Sequence, residues 1–506
     1  MNTDFDVVVV GGGGAGLMAA LSAARLGRRV ALLEKCPRLG GTTGLSVGTI
    51  SAAATPHQRA LGILDTPDAH FEDMGKFAGP LQARDNLALR RLFVEHVPET
   101  IRLLTDLGIE FIGPIPEPPH RHPRLHAIVP HSRGYIHHLA RACRRAGVVM
   151  RTGAPARRLV MDAGRVRGVE AGVEHGDAIV FGARQGVILA SGDFSAAPPA
   201  YKERFLAPIL RVLDGINPAS TGDGQRLGEA AGGEVVNGDL VWGPEIRFVA
   251  PPRPGPATRL PPFRFVARTI RLAMGVLPDA VLRPLLMSFA TTFLAPSHEL
   301  FRKGAILVNA EGRRFGDERD RPQDRIGFQP GQKAYILFDA AVAEKFRGWP
   351  DFVSTAPVVG YAYLPDYERS RRDICFRADS WEELGARMKL DGRIVADTVA
   401  AYNAEAARSK DEARPPLLRP PFFAMGPAKA WIVFSEGGLR VDEKLRVLRA
   451  NSREPIPGLY AAGSCGQGGL ILEGHGHHLG WAFTSGRLAG RQAAFAEPAG
   501  AAEALR

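Results

Sequence analysis

Six residues near the C-terminus, Glu473-Gly474-His475-Gly476-His477-His478, bring together one carboxylate and three imidazoles. Histidine titrates near neutrality, so such a loop can donate or accept a proton with little tuning. The same rings could instead pack, or cap the helix that follows. Tyr361-Ala362-Tyr363 is a second group able to transfer protons, although the alternation equally suits a strand with its rings turned inward. A proline-rich loop from Pro114 to Pro130 holds His120, His122 and His126. No carboxylate or cysteine completes a ligand spacing around them, so no metal site is expected.

Chemistry of another kind is written at the start of the chain. The apolar strand Asp6-Val7-Val8-Val9-Val10 runs into Gly11-Gly12-Gly13-Gly14-Ala15-Gly16, a helix-forming stretch follows, and a second strand at Val30 ends in Glu34-Lys35. In a dinucleotide-binding unit Gly11 allows the turn, Gly13 lets backbone approach the pyrophosphate and Gly16 lets the helix pack on the strand. Glu34 is placed to bond a ribose hydroxyl. A second small-residue cluster holds Gly40, Gly41, Thr42, Thr43, Ser46 and Gly48, and it can lie close to a flat ring or a phosphate. Further along, Ser191-Gly192 ends an apolar strand, Asp223 opens a helix, and Gly463 follows a short apolar run. Strands ending in small residues suit a cofactor lying across the carboxyl edge of a sheet.

The elements that carry these groups imply more than one domain. The chain has 506 residues, 45% of them hydrophobic and 23% charged, the balance of a globular protein with a large core. The expected organisation is a first dinucleotide-binding part at 1–240, an inserted substrate domain at 241–424 and a second dinucleotide-binding part at 425–506. From about 250 to 300 the chain is apolar and broken by prolines, with Phe263, Phe265, Ile270, Leu272, Met274 and Met287. That stretch reads as core packing or as a greasy lid for a lipophilic substrate. The net charge of +11 comes from arginines spread along the whole chain, with no basic block, so no nucleic-acid partner is expected. Nothing resembles a signal sequence and no apolar run reaches a membrane span, which points to the cytoplasm and to no integral membrane segment. Cys36, Cys143, Cys375 and Cys465 are too far apart for a zinc or iron–sulfur spacing and are expected to be reduced.

Taken in order, Gly11–Gly16, Glu34, Gly40–Gly48, Thr221–Gly224, Val308-Asn309 with Gly312, Arg314-Phe315 and Glu318, then Gly437-Gly438 and Gly458–Gly463, resemble the fumarate reductase/succinate dehydrogenase flavoprotein superfamily, which includes the 3-ketosteroid dehydrogenases. The resemblance covers nearly the whole chain. It implies an α/β fold: a discontinuous Rossmann-like FAD-binding domain with an inserted α+β capping domain. It also places Leu479 against the cofactor. Thr42 and Thr43 stand where some relatives carry a flavin-linked histidine, so it implies non-covalent FAD.

The chain departs from both branches of that superfamily. His478 stands where fumarate reductases carry a carboxylate-clamping arginine, and Phe434 stands where they carry a histidine. Arg319 and Arg321 lie about one residue out of register with their proton-donating arginine. Gly476 matches the carbonyl-holding glycine of the ketosteroid dehydrogenases, but Leu472 falls at their tyrosine. The expected activity is therefore dehydrogenation, or the reverse ene reduction, of a C–C bond next to a carbonyl in a lipophilic substrate, cyclic and steroid-like ones included, with an unidentified electron acceptor. Proton transfer is expected from His478, His475 or His477, or from Tyr363 or Tyr361, with the Gly476 N–H stabilising an enolate. Reduction of an unsaturated acid, and flavin binding for electron transfer or assembly without turnover, are the alternatives.

Overall fold

A computed structural model describes residues 3–173, 176–252, 259–356, 360–409 and 414–497. The strand Asp4–Val10 runs parallel to Val30–Leu33 on one side and to Gly176–Leu189 on the other, with Val9 opposite both Leu32 and Ile188. These strands read as unbroken apolar runs because both faces of a parallel sheet are covered, and Val7, Val8 and Val9 have no exposed surface. Val149–Arg151 extends the sheet beyond Val30–Leu33, and Pro455–Ala461 extends it beyond Gly176–Leu189. The C-terminal strand thus completes a sheet begun by the first residues, which makes this domain discontinuous.

The closing helix His477–Phe495 crosses the first helix, Gly14–Ala24, at very short range. A Cβ on Gly486 or Gly490 would stand 2.3 or 2.2 Å from the carbonyl oxygen of Ala15 or Ala19. Only glycine permits that approach, and it fixes the start of the closing helix over the glycine turn.

A second sheet is built around Phe422–Ile432, which pairs antiparallel with Glu245–Phe248, Ala334–Phe338 and Cys375–Ala378. Its core includes Ile336, Phe338, Phe423 and Met425. The strand Phe422–Ile432 crosses the boundary expected at residue 424 and lies wholly in this sheet. Two short antiparallel ladders join the sheets: Val241–Trp242 with Phe434–Ser435, and Val235–Val236 with Gly438–Leu439.

The apolar 250–300 stretch contains two helices, Arg264–Val276 and Asp279–Phe293. Pro278 caps the second, and Pro284 lies inside it, in the second turn, where the missing N–H costs one early bond. Much of the first is exposed rather than buried in the second core. No helix among the described residues is long and apolar enough to cross a membrane.

Candidate active site

At the carboxyl ends of the first sheet's strands, beneath the joining ladders, lies a cavity of about 770 Å³. Every residue expected to hold the cofactor lines it except Gly16. Gly16 is packed beneath: a Cβ there would stand 1.9 Å from the Gly11 carbonyl oxygen. Gly13 is the opposite case, since the nearest atoms to a Cβ would be 3.9 Å away on Gly40 and Gly41. Gly13 also caps the helix Gly14–Ala24 without a side chain, and no acid occupies the first turn. That helix end therefore presents a positive dipole to the cavity, which suits a pyrophosphate.

Around this turn the polar groups hold one another in place. The Glu34 carboxylate accepts from the Gly12 N–H at 2.6 Å and the Cys36 N–H at 2.7 Å. Thr43 Oγ1 accepts from the Gly14 N–H at 3.1 Å, and Thr42 Oγ1 accepts from Asn217 at 2.9 Å. Lys35 Nζ donates to Asp223 at 2.7 Å and to Thr221 at 2.5 Å. Burial works to raise the Asp223 pKa, but Lys35, Thr221 and Arg226 together outweigh it and hold the carboxyl below its ordinary range. A long glycine-walled cavity with a helix dipole at one end and an acid at the second strand's tip fits FAD.

Two of the candidate proton-transfer groups, His475 and His478, line this cavity together with Gly476, the expected enolate-stabilising N–H, while His477, Tyr361 and Tyr363 do not. The His478 ring lies against Phe434, centroids 3.9 Å apart, and Phe434 in turn meets Trp242 at 5.6 Å. Nε2 of His478 is 3.0 Å from Oε1 of the buried Glu436, at ion-pair distance without hydrogen-bond alignment. The other oxygen of Glu436 accepts from Gln467 Nε2. Burial, reinforced by the Glu436 charge, raises the Glu473 carboxyl. His475 is half exposed, its Nδ1 bonded to Glu117 and its ring 6.4 Å from Trp242.

His477 turns the other way, into the protein. Its Nδ1–H donates to the Glu473 carbonyl at 2.6 Å, and its Nε2 is 3.2 Å from that of His70. With His120 the two form a buried cluster whose candidate ligand atoms lie within 4.8 Å of one another. Burial keeps the rings neutral, taking His477 down to about 4, His120 to about 2 and His70 well below its usual value. Arg124 donates to His120 Nδ1 at 2.8 Å, so the proton of the neutral ring sits on Nε2 and not a lone pair. The cluster is thus a packed group of neutral imidazoles in which His70 and His477 share one hydrogen bond. Sequence spacing could not assemble it from positions 70, 120 and 477.

The cap tyrosines do not line the cavity either. Tyr361 packs on Trp349 and Phe352, and Tyr363 caps the helix Leu364–Ser370 with the Arg283 guanidinium 5.0 Å over its ring. Arg321 pairs with Asp324 at 2.5 Å and Arg319 lies 3.7 Å from Asp317, both outside the cavity lining. Sequence reasoning missed Glu436, whose only signal was an acid before the paired glycines. It also missed Trp242 and the ion pair of Glu245 with Arg247 at 2.6 Å, all of which line the cavity and none of which carried a local signal.

The family described as FAD binding domain matches residues 6–255 and 286–472. Fumarate reductase (cytochrome) of Shewanella frigidimarina is 29% identical over 518 residues, spanning 97% of this chain and 77% of that protein. The open conformation of a flavocytochrome c3 fumarate reductase superposes with a TM-score of 0.71 at 24% identity, covering 97% of this chain and 78% of that one. The 3-ketosteroid-delta4-(5alpha)-dehydrogenase of Rhodococcus jostii RHA1, solved with 4-androstene-3,17-dione, gives 0.59 at 25% identity over 97% of each chain. The chain belongs to the FAD binding domain family and is an FAD-dependent oxidoreductase of the group that contains fumarate reductases and ketosteroid dehydrogenases.

Proposed function

We propose that the enzyme dehydrogenates, or in reverse reduces, a C–C bond next to a carbonyl in a lipophilic, ring-bearing substrate. The observation that carries this reading is the aromatic wall Trp242, Phe434 and His478, with Glu436 behind the imidazole. Flat aromatic faces bury a flat apolar ring well, and a C4 dicarboxylate would need charged clamps in their place. FAD supplies hydride transfer to and from carbon. The protein's part is to orient the ring on Trp242 and Phe434, exclude water, and move a proton at the substrate carbon through the His478 imidazole, whose Nε2 is turned to Glu436. The Gly476 N–H, opening the closing helix, stabilises negative charge developing on the carbonyl oxygen. FAD is held without a covalent bond, and the electron acceptor is a separate small molecule or protein.

One observation favours a second reading, reduction of an unsaturated carboxylic acid: Arg247 lines the cavity and could meet a carboxylate. The test is anaerobic mixing of dithionite-reduced enzyme with a cyclic enone and, separately, with fumarate, following flavin reoxidation by absorbance. Faster reoxidation by the enone is expected, and reoxidation by fumarate alone would overturn the proposal in favour of the second reading.

A further inference from the structure

The helix Arg264–Val276 turns large apolar side chains toward solvent. Phe265, Leu272 and Val276, at i, i+7 and i+11, share one face and are 68%, 70% and 74% exposed. Leu277 and Val281, just past the helix end, are exposed as well. Isolated apolar residues on a surface are ordinary, but several large ones exposed on one helix face mark an interaction surface. It lies within residues 256–285, the stretch that the family match leaves out, so the shared fold does not call for it.

The flank of the stripe is basic. Arg264, Arg268 and Arg271 converge on one carboxylate, Glu110, at 3.2, 3.0 and 3.5 Å, and each stays about half exposed. Three cations against one anion leave a local excess of two positive charges. The whole chain carries +11. Phenylalanine and leucine on one face with arginines beside them is the pattern of a helix that lies in a bilayer interface.

We propose that this helix docks the protein on an anionic phospholipid bilayer, with the stripe at the acyl boundary and the arginines among the headgroup phosphates. Phe263, just before the helix, packs at 5.5 Å on His137, and His137 lines the cavity. Docking therefore brings the bilayer beside the cavity, where a lipophilic substrate would be concentrated. That consequence rests on the proposed substrate class, whereas docking itself does not.

The test is sedimentation of the FAD-loaded full chain with vesicles of phosphatidylcholine and phosphatidylglycerol, and with phosphatidylcholine alone. Binding to the mixed vesicles should exceed binding to the neutral ones by about tenfold, and the triple variant F265S/L272S/V276S should lose about as much while keeping its FAD. Because those side chains face solvent, the variant should fold normally, which near-normal thermal melting would check. Absence of wild-type binding at low salt, or equal binding by the variant, would overturn docking. So would a concentration-dependent dimer that the variant abolishes without any vesicle binding, which would make the stripe a contact between copies of this chain.

Discussion

Nε2 of His478 stands 3.0 Å from Oε1 of Glu436, a carboxylate only 2% exposed and held on its far side by Gln467. A carboxylate behind an imidazole that lines the cavity sets a counter-charge beside a ring able to move a proton at carbon. Replacing His478 by Gln should slow flavin reduction by about 10²–10⁴-fold while FAD stays bound. Glu436→Gln should cause a smaller loss, because the ring remains but loses its counter-charge. Anaerobic stopped-flow measurement of both variants checks this, and near-normal rates in H478Q would move the proton chemistry to His475.

Glu34 occupies the tip of the second strand, with its carboxylate bound to the Gly12 and Cys36 N–H groups. An ionised acceptor shared with a ribose hydroxyl contributes roughly 1.5–3 kcal/mol. Glu34→Ala should therefore weaken FAD binding by about tenfold or more, measured by titrating apoprotein and following flavin fluorescence. Unchanged affinity would limit Glu34 to bracing the glycine turn.

Thr42 and Thr43 line the cavity at the position of a possible flavin-linked histidine, and their hydroxyls are bonded to Asn217 and the Gly14 N–H. Acid precipitation of the yellow protein should leave all the flavin in the supernatant. Flavin fluorescence in the washed pellet would contradict a non-covalent cofactor.

Local signals in the sequence announced the glycine turn and its acid, because a parallel strand, a positive-φ glycine and a helix start are short-range features. Gly11, at φ +110°, and Glu34 both sit where that pattern puts them. Phase was harder to read. His477 and His478 are neighbours at the start of a helix, and a rotation of roughly 100° per residue sends one ring into the core and the other into the cavity. Before the helix start is known to be residue 477, no spacing rule can choose between them. Trp242 and Phe434 meet only because two short strands almost two hundred residues apart pair as a ladder, a contact without local signature.

The buried cluster of His70, His120 and His477 makes the protein sensitive to acid in a defined window. A base whose folded pKa is depressed binds fewer protons than in the unfolded chain, so stability is full above the unfolded value and falls as pH drops toward the folded one. For His477 that window runs from its ordinary 6.5 down to about 4, and such a displacement corresponds to about 3 kcal/mol. His120, His70 and His126 act in the same direction, whereas the raised carboxyl of Glu473 opposes them. Asp73, depressed by Lys76, Arg121 and Arg124 against its burial, comes into play only at lower pH. Urea midpoints measured from pH 7.5 to 4.5 with excess FAD should decline steadily for the wild type. The His477→Asn variant, which can still donate to the Glu473 carbonyl, should decline less steeply over that range, by up to one proton's worth of slope. Parallel declines for the two proteins would mean that His477 already takes up its proton in the folded state.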